Sequence, residues 1–194
     1  MIRVGVSVEG RCEETFIKHV LQPHFNNLVI YLEPIDMRGN ISLPRIQREL
    51  RRIAHGVDYV TTLYDFYGFK KVDSLHVANG EELAELISQQ FDEALQRKII
   101  PYIQMYEFEA LLFSNPERAS EVLKIDQQWF EDVLQKNNNN PEEINNSPQT
   151  APSKRIEKQT TYIKTTHAPS ILDNTPLDHM RARCAHFNGW LEKL

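Results

Sequence analysis

Cysteine is almost absent from this chain. Only Cys12 and Cys184 occur among 194 residues, which excludes a disulfide framework and a four-cysteine zinc site and fits a reducing cytoplasm. No apolar run approaches the length a bilayer requires. The first, Ile2–Val8, is also too short to serve as a secretory signal. The sequence has no glycine-rich phosphate loop with its lysine, no HExxH helix, no GxSxG elbow and no CxxC pair. P-loop nucleotide chemistry, zinc proteolysis, serine hydrolysis and thiol–disulfide exchange are therefore excluded as motif-based readings. Basic excess is missing too: Lys and Arg number 22 against 27 Asp and Glu, a formal net charge of -5. Any nucleic-acid contact must come from a local basic patch.

What remains is an ordinary globular composition of one-domain length with room for a small appendage. Ile2, Val4, Val6 and Val8 alternate as a strand, and Phe16, Ile17, Val20 and Leu21 follow at helical spacing. Further strands are expected over 28–32, 58–65 and 99–104, the last with Pro101 at an edge or a strand start. Helices are expected after Pro44, with Ile46, Leu50 and Ile53 inward, and over 81–96, 107–113, 116–123 and 127–135. A final helix starts at Thr175 and turns Leu177, Met180, Cys184, Phe187 and Leu191 inward. Strand–helix alternation with such connections predicts an α/β fold with a mostly parallel sheet over residues 1–113. Residues 114–194 form a helical extension containing a loop at 137–153, rich in Asn, Pro and Ser.

Carboxylates recur at the expected strand ends: Glu9, then Asp65, then Glu107 and Glu109. Glu13 follows Glu9 by one helical turn, and Gly10 allows a sharp turn between strand and helix. Ligand sites in open α/β sheets lie at the carboxyl ends of strands. Acids gathered there repel one another unless a cation sits among them, and hard oxygen ligands suit Mg²⁺ or Mn²⁺. The same residues also suit a plain βα turn with acids at a helix start. Arg45, Arg48 and Arg52 form one stripe, with Arg51 beside them. The stripe reads either as a phosphate track or as the wet face of an amphipathic helix. Arg38 lies near the same mouth, and Lys154 and Arg155 follow the proline-containing loop. Tyr64, Tyr67, Tyr102 and Tyr106 suit either a base-stacking lining or the core. His19 and Cys12 read as structural, and Trp129 and Trp190 as packing for the helical part.

Several segments carry a resemblance. They are Val8-Glu9-Gly10-Arg11-Cys12-Glu13, Tyr64-Asp65-Phe66-Tyr67-Gly68-Phe69, the run from Pro101 to Phe113, and Ala151-Pro152-Ser153-Lys154-Arg155. A strand followed by Glu-Gly-x-x-Glu-Glu and a later strand ending in Asp resembles the TOPRIM domain. The whole set resembles a TOPRIM-related bacterial family, domain of unknown function 4276, similar to the nuclease domain of overcoming-lysogenization-defect proteins. The resemblance implies a TOPRIM-like core that cleaves phosphodiesters in DNA or a structured RNA such as tRNA with Mg²⁺ or Mn²⁺. It implies Glu9 as metal ligand or acid/base and Glu13 as the second acid. Asp65 matches the first aspartate of an Asp-x-Asp pair whose second position holds Tyr67. That departure removes a ligand, which Glu107 or Glu109 is expected to supply. Lys154 is expected to steady the phosphoryl transition state, with Arg38, Arg45, Arg48, Arg52 and Arg155 on substrate. The resemblance further implies an ABC-type ATPase partner in a bacterial defence cassette. Two other readings stay open: an inactive module that binds a partner or nucleotide, and phosphotransfer on a small nucleotide.

Overall fold

The computed structural model describes residues 1–69, 75–145 and 147–194. Asn146, within the expected loop at 137–153, lies outside the described residues. The chain divides into two compact units, Met1–Gln104 with Leu194, and Met105–Lys193. The sequence reading placed 105–113 with the first unit; these residues pack inside the second.

The first unit holds a parallel sheet of β1 (Ile2–Val8), β2 (Ile30–Asp36), β3 (Tyr59–Asp65), β4 (Ile99–Ile100) and β5 (Ile103–Gln104). The order is β2-β1-β3-β4, with β5 also on β3. β1 is central, and its residues Val4 to Val8 are all buried rather than alternating, as expected for a parallel strand covered on both faces. Helix α3 (Leu43–Ala54) closes on β1 where Gly5 leaves room: a Cβ there would lie 2.5 Å from Ile53 Cγ2. Ile46, Leu50 and Ile53 are buried as their spacing predicts.

β2 runs later than the expected 28–32. Val29 takes φ 60° in a turn, Leu28 and Val29 are exposed, and pairing starts at Ile30. The helical segment after β1 changes pitch along its length. α1 (Arg11–Phe16) passes into a π-helical stretch, Ile17–Leu21, and then α2 (Gln22–Asn26). Pro23, which has no N–H to donate, follows the wide turn directly. Pro101 interrupts the last strand into β4 and β5. The Thr62 hydroxyl bridges the gap, accepting from Tyr102 N–H at 2.8 Å and donating to Tyr102 C=O at 2.7 Å. The helix expected over 81–96 is two: α4 (Gly80–Ser88) and α5 (Glu93–Gln96). Asp92 caps the second by accepting from Leu95 N–H at 3.0 Å. At the break, Gln47 donates to Gln90 C=O and the Arg51 guanidinium lies 5.4 Å over the Phe91 ring.

The second unit is built around Phe108–Ser114, a 3₁₀ stretch in which all seven residues are buried. Around it lie α6 (Pro116–Leu123), α7 (Gln127–Gln135), α8 (Pro152–Glu157), α9 (Lys164–Leu172), α10 (Leu177–Arg183) and α11 (Ala185–Leu191). The expected last helix is split at Cys184, whose φ of −119° and ψ of 86° are not helical. The cause is Glu142: its two oxygens accept from His186 N–H at 2.8 Å and Phe187 N–H at 2.9 Å, so a buried carboxylate starts α11. Met180, Cys184, Phe187, Trp190 and Leu191 are buried, and Trp129 packs edge-on against Phe130. Among the described residues, no helix is long and apolar enough to cross a membrane.

Candidate metal-binding site

The sheet order decides where a ligand belongs. The chain leaves β1 for β2 on one side, then crosses to β3 on the other. The crevice beyond the carboxyl ends of β1 and β3 is therefore the topological switch point, where doubly wound sheets take ligands. Glu9 immediately follows β1, and Asp65 ends β3. Val8 pairs with Leu63, so the two acids leave neighbouring strands at the same edge of the sheet.

Glu9 is half-buried, but its Oε2 is sealed from solvent, as is Oε1 of the buried Glu13. Gly68, in the 3₁₀ turn Phe66–Gly68 that follows Asp65, lies against the Glu9 carboxylate. A Cβ on Gly68 would overlap that carboxylate, coming within 2.9 Å of its Cδ. The Glu13 carboxylate turns back toward Gly10, 3.5 Å from where a Cβ there would stand. Asp65 is 8% exposed. On the same two strands the buried Tyr64 hydroxyl donates to Ser7 Oγ at 2.7 Å, and burial holds that phenol well above its ordinary pKa. It is a neutral donor at physiological pH.

Among the described residues, no three His, Cys, Asp or Glu side chains stand close enough together to form a ready metal cage. The donor chemistry still fits a hard divalent cation. Glu9, Glu13 and Asp65 offer only oxygen, and the backbone of Gly68 leaves room for the Glu9 carboxylate that a side chain would fill. Mg²⁺ is commonly held by one or two carboxylates, with water and substrate phosphate completing its shell.

The other expected site residues divide between the two units. Arg45 reaches three backbone carbonyls of the loop after β2: Met37, Gly39 at 2.5 Å and Asn40 at 3.3 Å. Arg48 and Arg52 are exposed on either side of Glu49, with Arg52 Nε 3.0 Å from its carboxylate. Arg38 is exposed in the same loop, with φ 54°. Tyr64 and Tyr102 belong to the core, while Tyr67 and Tyr106 are half-buried. His19, expected to be structural, is exposed.

In the second unit Glu107 Oε2 accepts from Ser153 N–H at 2.9 Å, at the first turn of α8. Glu109, 4% exposed, takes the Lys164 ammonium at 3.3 Å and a long hydrogen bond from the Tyr162 hydroxyl at 3.4 Å. Lys164 also lies 5.3 Å over the Phe108 ring. Lys154 holds both oxygens of Glu157, at 2.7 and 3.0 Å, and that hydrogen bond raises its pKa. Arg155 Nε donates to Thr150 C=O at 2.7 Å. Sequence reasoning missed Gly68, Tyr162 and Lys164. Gly68 stands in the quoted Tyr-Asp-Phe-Tyr-Gly-Phe segment and was the available signal. Lys164 gave none, because the helix carrying it was not foreseen.

Comparison with known proteins agrees with this fold. The chain resembles the C-terminal region of the OLD protein of Burkholderia pseudomallei at a TM-score of 0.52 and 17% identity, covering 100% of this chain and 96% of that one. The C-terminal region of the Xanthomonas campestris pv. campestris OLD protein aligns at 0.44 and 16%, covering 99% and 95%. The fold assignment, a TOPRIM-like α/β core, rests on the first. No curated protein matches. The family model described as a domain of unknown function (DUF4276) matches residues 8–194, so the chain belongs to that family.

Proposed function

We propose that the chain is a Mg²⁺- or Mn²⁺-dependent phosphodiester hydrolase acting on DNA or a structured RNA. The observation that carries this reading is that Glu9 and Asp65 leave the neighbouring strands β1 and β3 at the same edge of the sheet, at its switch point, with the Gly68 backbone against the Glu9 carboxylate. Glu9 and Asp65 are the residues proposed to hold the ion, with water and substrate phosphate completing its shell, and the ion when bound would supply Lewis acidity at the phosphoryl group. Glu9 or Glu13 accepts a proton from the attacking water while the phosphorus–oxygen bond to the leaving group breaks. Lys154 is proposed to stabilise charge developing on phosphorus. Arg48, Arg52 and Arg155 are proposed to assist binding. An ABC-type ATPase partner in a defence setting belongs to this reading through the family resemblance. The test is a cleavage assay on DNA and tRNA with Mn²⁺ or EDTA, with and without such an ATPase. Metal-dependent cleavage by the wild type that is absent in Glu9→Gln supports the reading. A second reading, a partner- or nucleotide-binding module, draws on Tyr67 in place of a second aspartate. It gains if the wild type binds nucleic acid and cleaves none.

A further inference from the structure

Beside the proposed metal site, on the β2 side of β1, lies a cleft of about 590 Å³ lined by Arg11, Glu14, Asp36 and Arg38. Both of its acids are engaged. Glu14 holds Lys18 at 2.5 Å, and Asp36 Oδ1 accepts the Arg38 backbone N–H at 2.6 Å. Arg11 and Arg38 are exposed on this cleft, two guanidinium groups approaching one space from different elements. Arg11 opens α1 two residues after Glu9. Arg38 stands on a loop that continues the β1–β2 pairing, with Met37 N–H on Val8 C=O at 2.9 Å and Gly39 N–H on Glu9 C=O at 2.8 Å.

That loop is unusual. Arg38, Gly39 and Asn40 all have positive φ, 54°, 69° and 59°, which costs free energy at the two non-glycine positions. Such a backbone persists only where its surroundings fix it. Here the Arg45 guanidinium does so, gripping the carbonyls of Met37, Gly39 and Asn40 from α3. The strained loop thus presents Arg38 to the cleft and is tied through Gly39 to the backbone of Glu9.

We infer that Arg11 and Arg38 form a binding site for a backbone phosphate of a polynucleotide, next to the phosphate that the Glu9–Asp65 mouth would cleave, and that Arg45 is a positioning residue rather than a substrate contact. Guanidinium forks suit phosphate oxygens, and holding the phosphate next to the scissile one would orient the strand. The inference rests on reading that mouth as a phosphodiester site.

The experiment measures binding of a labelled single-stranded DNA 12-mer, an RNA of the same sequence and inorganic phosphate, all in EDTA so that no cleavage intervenes. The proteins are the wild type, Arg11→Gln/Arg38→Gln, Arg45→Gln and the exposed control Arg97→Gln. The double variant is expected to weaken oligonucleotide binding about tenfold or more and to flatten the log K against log salt slope by about 0.7 units, for the one phosphate no longer neutralised on a single strand. Arg97→Gln leaves both unchanged. Arg45→Gln weakens binding, keeps the wild-type salt slope and speeds hydrogen exchange at the Met37 and Gly39 amides. A wild-type slope and affinity in the double variant overturns the site, as does a wild type that binds neither oligonucleotide. Inorganic phosphate competing at the same concentration as the oligonucleotide would reassign the cleft to a free anion and overturn the polynucleotide claim. If binding behaves as expected but no metal-dependent cleavage is found, the cleft stands and the hydrolase reading fails. If cleavage is found but the double variant binds normally, the reverse holds.

Discussion

The two units use their carboxylates in different ways. In the second, Glu142 receives two amides at the start of α11, Glu107 receives one at the start of α8, and Glu109 takes the Lys164 ammonium. These acids join segments far apart in sequence. In the first unit Glu9, Asp65 and Glu13 stand where parallel strands end and a helix begins, and the backbone of Gly68 lies against the Glu9 carboxylate. The contrast teaches how to separate two roles of an acid withdrawn from solvent. One that receives amides at a helix start organises the fold, whereas those at the switch point of the parallel sheet are the ones we propose for a ligand. Substitution should therefore damage stability in one unit and chemistry in the other.

The largest expected effect on stability is at Glu142. Replacing it by Ala removes two hydrogen bonds to a charged acceptor and leaves the buried Phe187 amide without its partner, at a cost of about 3 kcal/mol. Urea denaturation followed by tryptophan fluorescence checks this through Trp129 and Trp190. Glu9→Gln should leave the same transition unmoved or slightly raised, since it removes charge from an acidic mouth. Equal losses in both variants would erase the contrast.

Next is Gly68→Ala. The added Cβ meets the Glu9 carboxylate, so metal affinity and cleavage should fall about as far as in Glu9→Gln, while the fold survives. A variant with wild-type Mn²⁺ affinity would show that Gly68 does not set the Glu9 position.

The lysines sharpen the comparison inside the second unit. A group aimed at developing phosphoryl charge is worth about 3 kcal/mol, roughly a hundredfold in turnover, with affinity changing far less. Turnover and affinity are measured for Lys154→Ala and for Lys164→Ala, the latter as the partner of Glu109, and the proposed role of Lys154 requires that it alone show that split. If only affinity or only stability changes in both, neither has the role.

How far the sequence announced these features follows from the range of the forces involved. β1, β3, α6 and α7 are local patterns of apolar residues and caps, and their boundaries fall within a residue of those expected. Glu9 and Asp65 were legible because each closes such a pattern. The breaks at Gln89–Asp92 and at Cys184 were not, since each depends on a distant partner: Gln47 and Arg51 in one case, Glu142 in the other. The role of Arg45 was hidden for the same reason. A stripe of arginines looks alike whether its members face water or carbonyls of a neighbouring loop.

A smaller effect concerns Cys184. Burial raises its thiol pKa well above the usual value, so the native protein keeps the proton while the unfolded chain loses it as pH passes about 8.5. The unfolded state then binds fewer protons, and the stability of the second unit should decline above that pH. Native labelling of Cys184 at pH 8 should be slow, becoming fast in urea. Rapid native labelling would contradict the burial.

The most direct test is calorimetric titration of Mn²⁺ into the wild type and Glu9→Gln at neutral pH, with the urea transition of each recorded alongside. The account predicts saturable binding by the wild type, at least tenfold weaker binding by Glu9→Gln, and matching unfolding curves. Unchanged Mn²⁺ affinity in a fully folded Glu9→Gln, or no binding by the wild type, would contradict it.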